Sequence, residues 1–246
     1  MTDRTPTAAH YLDQIAAHLA GLFSINRDAI ARAADSVEKA ARADGLVYLF
    51  GTGHSHILAL EVHYRAGGLA ITVPILSTAT MLHEGSVASS AFERMSGISE
   101  TVFARYPVSA RDVVVVISNS GVNAAPVEAA RLAKARGATV IALTSQTYSR
   151  DIAGGRPRIA DIADIVLDNG GPSGDAIVAV EGSALRVGPV TTAAGASLLH
   201  AVMAEVAARL ATSGEDAPVY LSANLPGAAE HNARLIERYR PRNPHL

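Results

Sequence analysis

The chain has 246 residues, 49% of them hydrophobic, enough apolar side chain for one large α/β domain with appended helices. Its net charge of −2, the lack of any Lys/Arg run, the absence of tryptophan and an aromatic share of 4% argue against nucleic acid as a partner. There is no cysteine, which excludes disulfides, thiolate zinc sites and a cysteine nucleophile and fits a reducing compartment. No apolar run reaches the roughly 18 residues needed to span a bilayer. The opening MTDRTPTAAH lacks the charged-then-apolar order of a signal peptide, so the expectation is a cytoplasmic protein with no membrane partner.

Residues 8–43 repeat apolar side chains at helical spacing (Tyr11, Ile15, Leu19, Leu22, Ile25, Ile30, Ala33), with a break expected near Ser24-Ile25-Asn26. Such an arm either pairs two copies of the chain or covers a sheet, and Asp44-Gly45 closes it. Residues 46–50 (LVYLF) read as a first buried strand. The turn GTGHS follows, and a helix is expected over about 56–66. GTGHSH lacks the third glycine of a dinucleotide fingerprint. A loop that cradles an anion through Gly53, His54 and Ser55 at the helix start fits better. On that helix Glu61 and Arg65 are i,i+4 partners, as in an ordinary surface ion pair.

Residues 70–75 are a second strand. The segment 77–85 lies beyond its carboxyl end, where α/β sites form. His83 or Glu84 is therefore placed for proton chemistry, unless the pair simply faces solvent. A helix over 88–95 ends at Gly97, and residues 101–104 (TVFA) are expected to form a short edge strand.

The run VVVVI at 113–117 is too apolar for a half-exposed strand and reads as a central parallel strand covered on both faces. It ends in Ser118-Asn119-Ser120-Gly121, ahead of a helix from Asn123 to Arg136. Strand, small hydroxyl loop and helix start together hold a phosphate: backbone N–H groups and the positive end of the helix point at the anion, and the serines donate as well. No lysine is present and the spacing is not that of a nucleotide P-loop, so one small phosphate ester is the expected ligand. An ordinary βα turn is the alternative.

Residues 139–145 and 165–167 are the fourth and fifth core strands, with a turn at Gly154-Gly155-Arg156-Pro157 between them. Residues 176–180 form one arm of a hairpin turning at Glu181-Gly182. A long helix then runs to about Ala211, capped by Thr191 or Thr192. His200 lies on it among Leu199, Val202 and Met203, as a packing residue or as a catalyst. The tail 218–246, with Glu230-His231-Asn232, is patterned enough to dock on the core or on a neighbouring subunit. None of the nine histidines belongs to a convincing zinc set, and neither a metal nor a cofactor is expected.

Two stretches carry a resemblance. FGTGHS at 50–55 before a helix, and ISNSG at 117–121 before a helix, resemble the sugar isomerase (SIS) domain over about residues 40–212. The resemblance implies a three-layer α/β sandwich, Rossmann-like, with a five-stranded parallel sheet flanked by helices. It places the whole chain in a single domain with an N-terminal helical arm at 8–43 and a C-terminal docking segment at 218–246. It also implies a phosphorylated sugar as ligand, held by Ser55, Ser118, Asn119, Ser120 and Asn123, and a homodimer or higher oligomer with the active site near the subunit border.

The MLHEG and NLPG…EHN segments look like a branch described as phosphosugar-binding or phosphoheptose isomerase-like, and similar to N-acetylglucosamine-6-phosphate dehydratase. In phosphoheptose isomerases a Glu on the first core helix and a His on the last act as base and acid. The His maps onto His200. The Glu position falls at Arg65, a departure, and Glu61 one turn earlier is the nearest carboxylate. The resemblance thus makes Glu61 the base and His200, or His231 from a partner subunit, the acid, with His83 and Glu84 close by. Dehydration of an aminosugar 6-phosphate is the expected reaction, aldose–ketose isomerisation the alternative. A non-catalytic sugar-phosphate sensor is the competing class, although residues 1–43 show no basic recognition helix.

Overall fold

The computed structural model describes residues 7–246, so the first six residues of the MTDRTPTAAH opening lie outside it. In chain order the elements are α1 (Thr7–Arg42), β1 (Val47–Gly51), α2 (Ser55–Glu61), β2 (Thr72–Ile75), α3 (Ser86–Phe92), α4 (Ile98–Phe103), β3 (Val113–Ile117) and α5 (Ala124–Ala135). There follow β4 (Thr139–Thr144), α6 (Gln146–Ala153), α7 (Ile159–Ile162), β5 (Ile165–Asp168), β6 (Ala176–Ala179), β7 (Arg186–Pro189), α8 (Thr191–Thr212) and α9 (Ala228–Tyr239). The five-stranded sheet has the order β2-β1-β3-β4-β5 and is parallel throughout. The β-branched run of β3 is thus its middle strand, buried at every position. β6 and β7 pair separately as an antiparallel hairpin.

Helices α1, α2 and α8 pack over one face of the sheet and α4, α5 and α7 over the other. Contrary to the run-length expectation, one helix among the described residues, α8, is long and apolar enough to cross a membrane. Its buried row Leu198, Leu199, Val202, Met203, Val206 and Leu210 packs with α1 and α2, so its apolarity is that of a core helix.

Four local expectations are corrected. Helix α1 runs without a break through Ser24-Ile25-Asn26. Asn26 is buried, and its amide donates to the carbonyls of Leu22 and Asp168 while its oxygen accepts from the Asp168 N–H. The polar residue that looked like an interruption is the strut that joins α1 to β5. Residues 101–103 belong to α4, with Ala104 as its C-cap, not to an edge strand. Ser99, Val102 and Phe103 bury one helical face, and Arg136 donates to the carbonyls of Phe103 and Tyr106 at the helix end. Gly97 starts this helix, its N–H held by both Glu128 oxygens, rather than ending the one before. Finally, α2 stops at Glu61, five residues short of expectation, because Tyr64 takes a positive φ and Gly67 follows with another.

The C-terminal segment docks on its own core. Residues 217–221 lie against 67–70, with Ala70 N–H donating to Pro218 and Tyr220 N–H to Gly68. Arg242 then pairs with Asp112 at 2.6 Å. That fully buried carboxylate also accepts from Leu46 N–H and from Ser109, so it closes the amino-end side of β1 and β3. His245 meets the Tyr106 hydroxyl at 2.9 Å, and His63 Nδ1 donates to the Thr72 carbonyl at 2.9 Å.

Two outcomes follow. Asn26→Leu strands the N–H and C=O of Asp168 in an apolar contact, and urea denaturation should show a loss of about 1–3 kcal/mol. Burial pushes His63 and His245 below the ordinary 6.5, and the nearby Arg105 charge adds to this at His245. Below about 6.5 the unfolded chain therefore binds more protons than the folded one, and stability falls as pH falls. Melting temperature should drop on acidification below about 6.5, and His245→Gln should flatten that slope.

Candidate active site

β1 and β3 are adjacent and in register, Gly51 opposite Ile117. From β1 the chain crosses to β2 on one side, and from β3 to β4 on the other. Their loops part at this reversal, which makes the crevice where ligands of open α/β sheets bind. The first loop turns tightly. A Cβ on Gly51 would stand 2.5 Å from the Ser55 carbonyl group, Gly53 has φ +53°, and its N–H is tied to Thr80 at 2.8 Å. In the second loop Ser118 Oγ accepts the Gly121 N–H at 3.0 Å. Gly121 has φ +66°, and a Cβ there would press on Ile159 and Thr144 at 3.1 Å.

Two cavities share His54, Ser55 and Asn119. The smaller, about 260 Å³, has an apolar floor of Leu58, Ile117 and Leu143 and a rim of Asn169, Asp175, Thr191 and Thr192. The larger, about 460 Å³, is lined by Ser118, Ser120 and Asn123 together with Glu93, Arg94 and Arg156. The arginines and the serine loop thus belong to the second cavity, with the carboxylate of Glu93, and the apolar floor to the first, with the carboxylate of Asp175.

The phosphate-loop residues expected from the sequence meet here: Gly53, His54, Ser55, Ser118, Asn119 and Ser120 line the larger cavity, with Gly121 setting the loop's turn. Asn123 lines the same cavity, and its amide donates to Glu93 at 2.8 Å. Thr191 and Thr192 reach the smaller cavity but neither caps α8. Asp175 does so, accepting the Val190 and Thr191 N–H groups on Oδ1 and the Thr191 hydroxyl on Oδ2.

Glu61 and His200 come together across α2 and α8, with His200 Nε2 3.4 Å from Glu61 Oε1. Arg65 pairs with the same oxygen. Both members of the Glu–His pair are a little over one-third exposed, so solvent and substrate can reach them. His83 and Glu84 are exposed on the segment after the short 3-10 turn Thr78–Thr80. The His83 ring stands edge-on to His56, centroids 5.9 Å apart. His56 lies beneath the first loop against the Gly53 carbonyl, and burial pushes it below its ordinary value. His231, on α9, donates from Nε2 to Val219 at 2.9 Å, which leaves Nδ1 for any chemistry, and it lines neither cavity. Among the described residues no group of three or more His, Cys, Asp or Glu side chains could hold a metal.

Sequence reasoning missed Glu93, Asp175, Asn169 and Arg156. Asn169 bridges the smaller cavity to the phosphate loop through Asn119, at 3.2 Å. These residues lie in segments with no motif, and only the packing of α3, of the α6–α7 turn and of the β5–β6 connection brings them to the loops.

Comparison with known proteins accords with this geometry. The SIS domain model matches residues 10–145. A UPF0309 protein of Brucella canis is 56% identical over 242 residues, covering 98% of this chain and 100% of that one. Among solved structures, a phosphoheptose isomerase from Neisseria gonorrhoeae is similar with a TM-score of 0.54 and 22% identity, over 81% of this chain and 96% of that one. Another, from Francisella tularensis, has a TM-score of 0.51 at 16% identity over the same shares, 81% and 96%. Both likenesses are of fold.

Gly51→Ala should displace the start of α2, and with it Ser55. Titration calorimetry with inorganic phosphate should show at least about a tenfold loss of affinity, the equivalent of one charge-assisted hydrogen bond.

Proposed function

The chain belongs to the SIS domain family and, within it, to the UPF0309 proteins, and from that premise we propose that it is a phosphosugar-processing enzyme, an N-acetylglucosamine-6-phosphate dehydratase. The Glu61–His200 contact carries this reading. The hydroxyl-rich, cationic cavity takes the phosphate, with Ser55, Asn119 and Ser120 as donors. The sugar body lies over the apolar floor of the neighbouring cavity. From Ser55 to Glu61 is about 9 Å along α2, and from Thr192 to His200 about 12 Å along α8, at 1.5 Å per residue. An open-chain sugar phosphate anchored at the loops extends over a comparable length.

In the proposed reaction Glu61 takes the proton from C2, beside the aldehyde, and the carbonyl oxygen carries the developing charge. The C2–H electron pair then forms the C2–C3 double bond as the C3–O bond breaks. His200 supplies the proton with which that hydroxide leaves as water. Arg65, paired with the same Glu61 oxygen that His200 approaches, orients the carboxylate. Ile57, Leu60 and Tyr64 expose apolar surface around Glu61, which supports placing the reacting pair near a homodimer border, where a partner's residues would exclude water. His231 of a second copy and the exposed His83 and Glu84 are further candidates for the acid and base.

Incubation with N-acetylglucosamine 6-phosphate should give a product lighter by one water, seen by mass spectrometry together with new ultraviolet absorbance. A product of unchanged mass would make the protein an isomerase, and binding with no conversion of any aminosugar or heptose phosphate would make it a sensor. Glu61→Gln should lower kcat by about 10²–10⁴-fold while phosphate-dependent binding persists.

A further inference from the structure

Among the described residues Glu93 is the one acidic side chain lining the larger cavity, and it is fixed there. Thr52 Oγ1 donates to its Oε2 at 2.7 Å and Asn123 Nδ2 to its Oε1 at 2.8 Å, while Arg94 pairs with Oε1 at 3.3 Å. The backbone is fixed as well, because the Glu93 carbonyl accepts the Ala125 N–H in the first turn of α5. Thr52 belongs to the first loop and Asn123 to the second, so one carboxylate ties both. Three donors hold it, and its side chain is 18% exposed, so it cannot swing out to solvent without leaving all three.

The surroundings are cationic. Arg94 and Arg156 line the cavity and continue, with Arg131, into an adjoining groove of about 430 Å³. Such a wall would welcome a second phosphate beside the first. A fixed carboxylate between the serine loops and the arginines opposes that, because like charges in a partly desolvated cavity repel strongly. We propose that Glu93 is a specificity-determining residue that restricts the site to a single phosphate group, excluding diphosphates and bisphosphorylated sugars, and that removes Thr52 and Asn123 from the phosphate-binding donors. This rests on the phosphosugar reading and deepens it: the ligand is a monophosphate ester whose only multiply charged group sits at Ser55 and Ser120.

The test is calorimetric titration of wild type and Glu93→Gln with inorganic phosphate, pyrophosphate and N-acetylglucosamine 6-phosphate. Wild type should bind phosphate more tightly than pyrophosphate. Glu93→Gln keeps the shape and loses the charge, so its pyrophosphate affinity should rise at least tenfold relative to its phosphate affinity. An equal shift for both anions, or none, overturns the assignment, because a purely structural tie has no reason to favour one anion. Should the variant fail to fold, a wild type that prefers pyrophosphate overturns it equally. If wild type binds neither phosphate nor the sugar phosphate, the phosphosugar reading falls and this inference with it. If wild type binds both and the variant leaves the pyrophosphate preference unchanged, this inference falls alone.

Discussion

The pairing of Gly51 with Ile117 in adjacent parallel strands is the constraint on which the site depends. It fixes two loops side by side at the one place in the sheet where the connections diverge. Neither loop can do much alone: each offers a few N–H groups and a serine. Held in register, they form one concave surface of donors, with α2 and α5 starting from it. The register is protected from below. The buried Asp112 accepts from Leu46 N–H just before β1 and stands itself just before β3, and Arg242 from the far end of the chain neutralises it.

Around that surface the charged groups have fixed places. The carboxylate of Asp175 accepts the Val190 and Thr191 N–H groups at the start of α8, which sets a negative charge at that helix end. The arginines stand on the opposite side, about the larger cavity. A ligand with one charged end and one neutral, hydroxylated end has a single favourable orientation in such a field. In the proposed complex its phosphate would meet the serines, and its remaining carbons would lie over Leu58 and Leu143, in the direction of Glu61 and His200. The Glu–His pair lies away from the cradle, on the two helices that leave it, so binding and proton chemistry would fall to different parts of the fold.

The strands and the long helices were legible because their signals are local. A run of β-branched residues names a buried strand, and i, i+3, i+4 apolar spacing names a helix. Short elements were harder. TVFA carries β-branched and aromatic residues, yet it is one turn of helix because Arg136 and Ala125, distant in sequence, satisfy its ends and its buried serine. Asn26 looked like a helix interruption until its partner Asp168 was seen across the layer.

By itself the sequence determined the α/β class, the middle strand and the two glycine- and serine-containing loops, since each of these follows from neighbours a few residues apart, while Glu61 and His200 became candidates for base and acid only through the family resemblance. Tertiary structure alone decided that Glu61 and His200 touch, that Asp175 caps α8, and that Glu93 sits between the two loops and holds Asn123. Those contacts join residues 15 to 139 positions apart, and no local pattern encodes such a meeting. It is settled only when the sheet order and the packing of the helices on it bring the side chains within hydrogen-bonding reach.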